Sequence, residues 1–356
     1  MADRFFPNEM PDFISETSHS DSDGASESDS LTKLLLLPHK TLSQLLMKSA
    51  LDLKDTVVKE TWVAKRKRVS DYTLYTGALG TAFLLFKAYQ VTKDNTHLLL
   101  CSEIINNCDY ASRGSGRVTF ICGQAGVYAL GAVVAKHNGD EQLCHQYVTQ
   151  FKEIKLSKDL PDELLYGRAG FLWACSFLNK NLGEDTVSSN RMVKMGVLAS
   201  FGGGITVISS CGNYPSSEGS ETDRLVHWCH GATGVALALV KAAKVFGSEE
   251  FLQAAIDAAE VVWNRGLLKR VGICHGISGN AYLFLSLYQL TGKLEFLYRA
   301  KAFTCFLHDR AQTLISEGIM HRGDRPYSMF EGIGGMAYLF LDIIEPYQAR
   351  FPGFQL

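Results

Sequence analysis

Two tripeptides of this 356-residue chain, Cys229-His230-Gly231 and Cys274-His275-Gly276, set a thiol beside an imidazole twice, 45 residues apart. Thiolates and neutral imidazoles are zinc donors. Zinc sites that do chemistry commonly take three protein ligands and keep a fourth position open, and the two tripeptides together offer enough donors for such a set. A metal-free Cys-His nucleophilic pair is the other chemistry open to Cys229 and His230. Side chains adjacent on a turn seldom align for that.

The elements that must position these residues show in a longer series. Six Gly-x-x-Gly stretches begin at Gly77, Gly123, Gly167, Gly231, Gly276 and Gly332, separated by 46, 44, 64, 45 and 56 residues. Such a period of about 45 residues is the signature of repeated supersecondary units. After the glycines comes a small, apolar run, as in Val235–Phe246 or Asn280–Tyr288, which reads as a buried helix. An amphipathic segment follows. In Glu249–Trp263 the residues Phe251, Leu252, Ala255, Ile256, Ala259 and Val262 fall on one helical face, and Leu294, Leu297, Ala300, Phe303 and Leu307 repeat the pattern. The expected class is therefore all-α, with helical hairpins stacked to bury a continuous core. Glycine at each helix start also predicts outward-pointing first-turn N–H groups, which would favour an anionic ligand if the helix ends meet at one mouth.

Composition narrows the function classes. The first 30 residues hold eight acids and one base, and the Ser18–Ser30 tract is acidic, serine-rich and expected to be disordered. The remainder carries +5, which suits acidic small molecules and is too weak to imply nucleic acid. Lys65-Arg-Lys-Arg68 reads as the solvated end of a surface helix rather than a nucleic-acid contact or nuclear-localisation patch. Nine cysteines without a secretory leader predict free thiols in a reducing compartment. The expected location is cytoplasmic, with nuclear residence or peripheral attachment to the plasma membrane as alternatives; the one long apolar stretch, 195–214, is too rich in Ser, Thr and Gly for a membrane span.

These motifs, together with His227-Trp-Cys-His-Gly231, Phe330-Glu-Gly332 and the ending Ala349–Leu356, resemble eukaryotic lanthionine synthetase C-like proteins, and the opening residues 1–8 are most similar to plant members. The resemblance implies an α/α toroid with zinc held by Cys229, Cys274 and His275, and binding of glutathione or a peptide cysteine thiol. In bacterial relatives such thiols are added to dehydroalanine or dehydrobutyrine to form thioethers, and in animal relatives glutathione is added to the same dehydroamino acids in damaged proteins. His230 matches a position beside the metal rather than on it. Arg4 matches a residue tied to glutathione in animal members.

The chain departs from the family in one place. The resemblance predicts seven repeats, and the absent one, which normally carries an Ala-His-Gly motif with the usual proton donor, falls between 191 and 212. The domain reading is accordingly 1–30 as a disordered segment and 31–356 as a toroid short of one repeat. The remaining candidates for acid or charge stabiliser are His230, Arg224, Lys269 and Tyr166. Arg224 and Lys269 each lie five residues before a presumed cysteine ligand, and Lys269 is also a candidate for holding glutathione. Tyr166 matches a family element. Cys122, which directly precedes Gly123 and lacks a histidine neighbour, reads as a packed thiol. Two function classes follow: an enzyme adding thiols to dehydrated Ser or Thr residues, or a non-catalytic zinc- and glutathione-binding or signalling protein of the kind linked to abscisic-acid responses in plants.

Overall fold

The computed structural model describes residues 4–13, 29–188, 212–216 and 223–356. The stretch 191–211, where a repeat is expected to be missing, and residues 14–28 of the acidic segment lie outside the described residues. Among the described residues the structure is helical, and extended pairing is limited to two isolated bridges, Phe5 with Leu268 and Arg270 with His321. The helices are α1 (Ser30–Leu35), α2 (His39–Val58), α3 (Ala78–Thr92), α4 (Asn95–Ser112), α5 (Gln124–His137), α6 (Glu141–Glu153), α7 (Arg168–Leu182), α8 (Ala232–Phe246), α9 (Glu249–Arg265), α10 (Ile277–Thr291), α11 (Leu294–Ser316) and α12 (Ile333–Asp342). A π turn at Lys59–Val63 extends α2.

The chain forms two compact units. One consists of Met1–Ala50, Gly204–Asp324 and Leu339–Ala349, the other of Leu51–Gly203, Arg325–Tyr338 and Arg350–Leu356. The first contains the hairpins α8/α9 and α10/α11, and the second contains α3/α4, α5/α6 and the single helix α7. In each hairpin the first helix is the more apolar and more deeply buried and the second is amphipathic. In α10 every residue from Ile277 to Tyr288 is buried. In α9, Ser248 caps the start by accepting from the Phe251 N–H at 3.3 Å, with Glu249 and Glu250 in the first turn where the helix dipole favours acids. Its face buries Ala255, Ala259 and Val262, while Phe251, Leu252 and Ile256 are half-buried. Trp263 stacks on Phe303 of α11 at 5.8 Å and meets the edge of Phe284 of α10 at 6.2 Å. Burial of each such side chain stabilises by roughly 1.5–3 kcal/mol. Leu294 departs from the expected face: as the first residue of α11 it is exposed, because the helix meets its partner only from Phe296 onward.

Helix starts correct one expectation. In five repeats the N–H just after the first glycine, that of Ala78, Gln124, Arg168, Ile277 or Ile333, donates to the carbonyl seven residues back. These groups are consumed by the preceding turn and do not point outward at an anion. The same turn explains the second glycine. A Cβ at Gly126, Gly170, Gly234 or Gly279 would lie 1.8–2.0 Å from the carbonyl oxygen six residues earlier. The motif thus lets a turn fold flat across its own helix end.

The N-terminus departs from expectation as well. Although 1–30 is acidic overall, residues 4–13 lie along the first unit: Phe6 N–H donates to the Leu267 carbonyl at 2.7 Å, Asn8 Nδ2 to the Trp263 carbonyl at 2.8 Å, and the Phe6 ring sits 5.6 Å from Phe306. The local run of Phe5, Phe6, Pro7 and Met10 supplies apolar surface that the averaged composition conceals.

Candidate metal centre

Cys229 closes a non-helical stretch, 223–230, that leads into α8. Its turn is anchored by Asn213, which is wholly buried; Nδ2 donates to the carbonyls of Asp223 (2.6 Å) and Leu225 (2.9 Å), and Oδ1 accepts from the Ala232 N–H at 2.8 Å. Ala232 is the helix-start N–H that in five other repeats bonds to backbone. Here a side chain takes that place. Gly231 is held at φ 106, ψ −163, a region open essentially to glycine. Gly276 is ordinary extended backbone at φ −138, ψ 178, so two tripeptides alike in sequence differ in conformation.

Cys274 and His275 stand at the start of α10, in a turn tied to the first by the Trp228 N–H, which donates to the Cys274 carbonyl at 3.1 Å. Asn280 braces both turns. Buried on α10, it donates to the carbonyls of Val226 (3.1 Å) and Gly266 (2.9 Å) and accepts from Thr233 Oγ1 at 2.6 Å.

This bracing gathers the ligand atoms of Cys229, Cys274 and His275 within 4.8 Å of one another. Cys229 is exposed, Cys274 buried and His275 intermediate. The Cys229 thiol is pushed down to about 3, first by a hydrogen bond from Cys274 and then by His227 and His275, against the opposing effect of burial. Arg270 Nη1 lies 3.4 Å from His275 Nε2. Ligation of a metal by His275 would use the lone pair of one ring nitrogen, the other carrying the proton.

The other sequence candidates are distributed unevenly. His230 is exposed, with Nδ1 3.0 Å from the Ser216 carbonyl oxygen. Arg224 is exposed in the Cys229 stretch. Arg4 and Lys269 are brought together: the Lys269 N–H donates to the Arg4 carbonyl at 3.1 Å, and Lys269 Nζ lies 5.6 Å from the Phe6 ring centroid. Tyr166 belongs to the other unit, beside Cys122 and Arg117. Asn213, Asn280 and Arg270 were not singled out by sequence reasoning. No shared offset marked the two asparagines in the sequence: Asn213 lies 16 residues before Cys229 and Asn280 lies 6 after Cys274.

Comparison with known proteins converges on one family. Residues 68–196 and 207–356 match lanthionine synthetase C-like proteins. The chain is 36% identical over 385 residues to LanC-like protein GCL1 of Arabidopsis thaliana, covering 87% of this chain and 89% of that protein. It is 31% identical over 352 residues to Glutathione S-transferase LANCL1 of Danio rerio, covering 80% and 85%. Among solved structures it is similar to nisin cyclase, with a TM-score of 0.38, 16% identity and coverage of 79% and 78%. The Lin0763 protein of Listeria innocua gives a TM-score of 0.46, 12% identity and coverage of 86% and 97%. With its helical hairpins, its paired Cys-His-Gly turns, the family match over most of its length and two relatives above 30% identity, the chain belongs to the lanthionine synthetase C-like protein family.

Proposed function

We propose that Cys229, Cys274 and His275 hold a zinc ion, and that the chain binds glutathione or a peptide thiol there and adds its sulfur to dehydroalanine or dehydrobutyrine in a polypeptide. The observation that carries this reading is the gathering of two thiols and an imidazole within 4.8 Å. Sulfur-rich three-donor sets suit zinc and leave a fourth position for a ligand. Support also comes from the 31% identity to a relative named a glutathione S-transferase. Bound there, zinc would keep an incoming thiol in its thiolate form, since a free thiol with a pKa of about 8.5 is mostly protonated at neutral pH.

The chain's own residues supply the rest. Exposure of Cys229 leaves the donor cluster open on one side. Lys269 and Arg270, neighbours of the His275 turn, offer cationic groups to the carboxylates of glutathione, and Arg4 stands next to Lys269. As the thiolate sulfur bonds to the β-carbon of the acceptor, the C=C electron pair moves toward the carbonyl oxygen and a proton must reach the α-carbon. Arg224 is proposed to face that developing charge and His230 to deliver the proton, both being exposed in the Cys229 turn. Tyr166 is assigned no step.

The absent repeat bears on this. The alignment with the Arabidopsis relative runs over 385 residues although it covers 87% of a 356-residue chain, which accords with a segment present there and missing here. Incubation of the purified protein with glutathione and a dehydroalanine peptide, followed by mass spectrometry, tests the reading. A glutathione adduct in wild type and none with Cys274→Ser is expected. A folded, zinc-loaded protein that binds glutathione and yields no adduct would instead support the non-catalytic binding or signalling role.

A further inference from the structure

The second unit holds a cleft that the proposed thiol chemistry does not use. Its volume is about 230 Å³, and Asp71, Tyr72, Thr76, Arg117, Cys122 and Tyr166 are among the residues that line it. A cleft of this volume has room for several waters or for a small organic molecule.

Three observations give the cleft a chemical character. First, Arg117 is exposed with its guanidinium 5.8 Å from the Tyr166 ring centroid, and none of the ion pairs among the described residues includes it. The neighbouring carboxylates are committed to their own turns. Asp71 accepts from the Thr73 N–H at 2.8 Å and the Thr76 hydroxyl at 2.6 Å, and Glu163 accepts from the backbone N–H groups of Leu165 and Tyr166. A guanidinium left in this state matches a planar oxyanion, which it binds through two parallel hydrogen bonds. Second, the Tyr72 hydroxyl is buried without a hydrogen-bond partner. Such a group costs about 1–3 kcal/mol unless something fills its hydrogen bond. Third, the Cys122 thiol and the Tyr166 hydroxyl are hydrogen-bonded to each other, and burial pushes the thiol up to about 12. Cys122 is thus a protonated, unreactive wall of the cleft.

We propose that this cleft is a second ligand site, taking a small carboxylate of amino-acid size whose carboxylate group lies on Arg117 and whose polar remainder bonds to the hydroxyls of Tyr72 and Tyr166. The site is independent of the zinc reading, because all of its residues belong to one unit and none is a metal donor. Ligand-observed saturation-transfer NMR with N-acetylalanine, against its neutral amide as the matched control, tests the proposal.

Saturation transfer to the carboxylate is expected in wild type, with binding weaker by about tenfold or more for the amide and for Arg117→Gln, the loss that one charge-assisted pair accounts for. Tyr72→Phe should weaken binding without lowering thermal stability, since it removes a hydroxyl that lacks a partner in the free protein. Cys274→Ser should leave binding unchanged, which separates this site from the metal centre. Equal binding of carboxylate and amide, an Arg117→Gln protein that binds as wild type, or no saturation transfer would overturn the proposal.

Discussion

Cys229 and Cys274 approach the proposed metal position from different surroundings, one exposed and one buried, and a hydrogen bond from Cys274 favours the thiolate of Cys229. Protein purified without chelator should therefore carry about one zinc, and Cys229→Ser, Cys274→Ser or His275→Ala should each reduce this to near zero. Elemental analysis by inductively coupled plasma mass spectrometry gives the answer, and a metal-free wild type would end the zinc reading. The asparagines bear the positioning. Asn213→Ala would strand two carbonyls and the Ala232 N–H at a buried site, costing about 2–4 kcal/mol in denaturant midpoint experiments. Zinc affinity should drop by roughly 10–100-fold as the Cys229 turn loosens, measurable by competition with a zinc-binding dye. The three presumed donors could be named from spacing and family likeness. Asn213, Asn280 and Arg270 could not, because their partners are backbone groups or side chains made adjacent by folding.

At the scale of elements, the glycines and histidines make separate predictions. Alanine is normally preferred over glycine inside a helix by about 1 kcal/mol. Gly279→Ala should nevertheless destabilise by about 2–4 kcal/mol, since its Cβ would sit 1.8 Å from the Ile273 carbonyl oxygen. Urea unfolding decides it, and a stabilised variant would refute the folded-turn account of the motif. Histidine burial sets a pH response. Burial lowers His308, held by Ser49 and edge-on to Phe340, as it lowers His97 and His137. A histidine whose folded pKa lies below its unfolded value binds its proton more tightly when unfolded. Its contribution is thus present above about pH 6.5 and lost as pH falls toward the lowered native value. The melting temperature should fall between about pH 7 and about pH 5, and His308→Asn should flatten part of that slope.

At the scale of the whole molecule, the proposed zinc ion would be linked to folding. A ligand that binds only the folded chain stabilises it by about 4 kcal/mol at a thousand times its Kd, so stripping zinc with a strong chelator should lower the melting temperature, and zinc-buffered scanning fluorimetry should show the shift. No shift in the Cys274→Ser protein is the accompanying control. Among the described residues no helix is long and apolar enough to cross a membrane. Cys101, Cys108, Cys122, Cys144, Cys229 and Cys305 are free thiols, as the sequence reading expects. Sequencing the transcript across 190–211 tests whether a histidine-bearing repeat belongs there.

Much of the element pattern was legible because its causes are short-ranged. A glycine that admits a carbonyl six residues back, an apolar run after it, and an amphipathic face beyond are all encoded within one repeat of about 45 residues. The same locality marked the Cys-His-Gly tripeptides as candidate donors. Only tertiary structure decided how they differ. Gly231 takes a backbone conformation that Gly276 does not, His230 faces the Ser216 carbonyl while His275 joins the thiols, and Asn213 and Asn280 tie together turns far apart in sequence. The reason is physical: backbone preference and amphipathic period act over a few residues, whereas the direction a donor atom faces is set by buried hydrogen bonds between segments that meet only when the chain has folded.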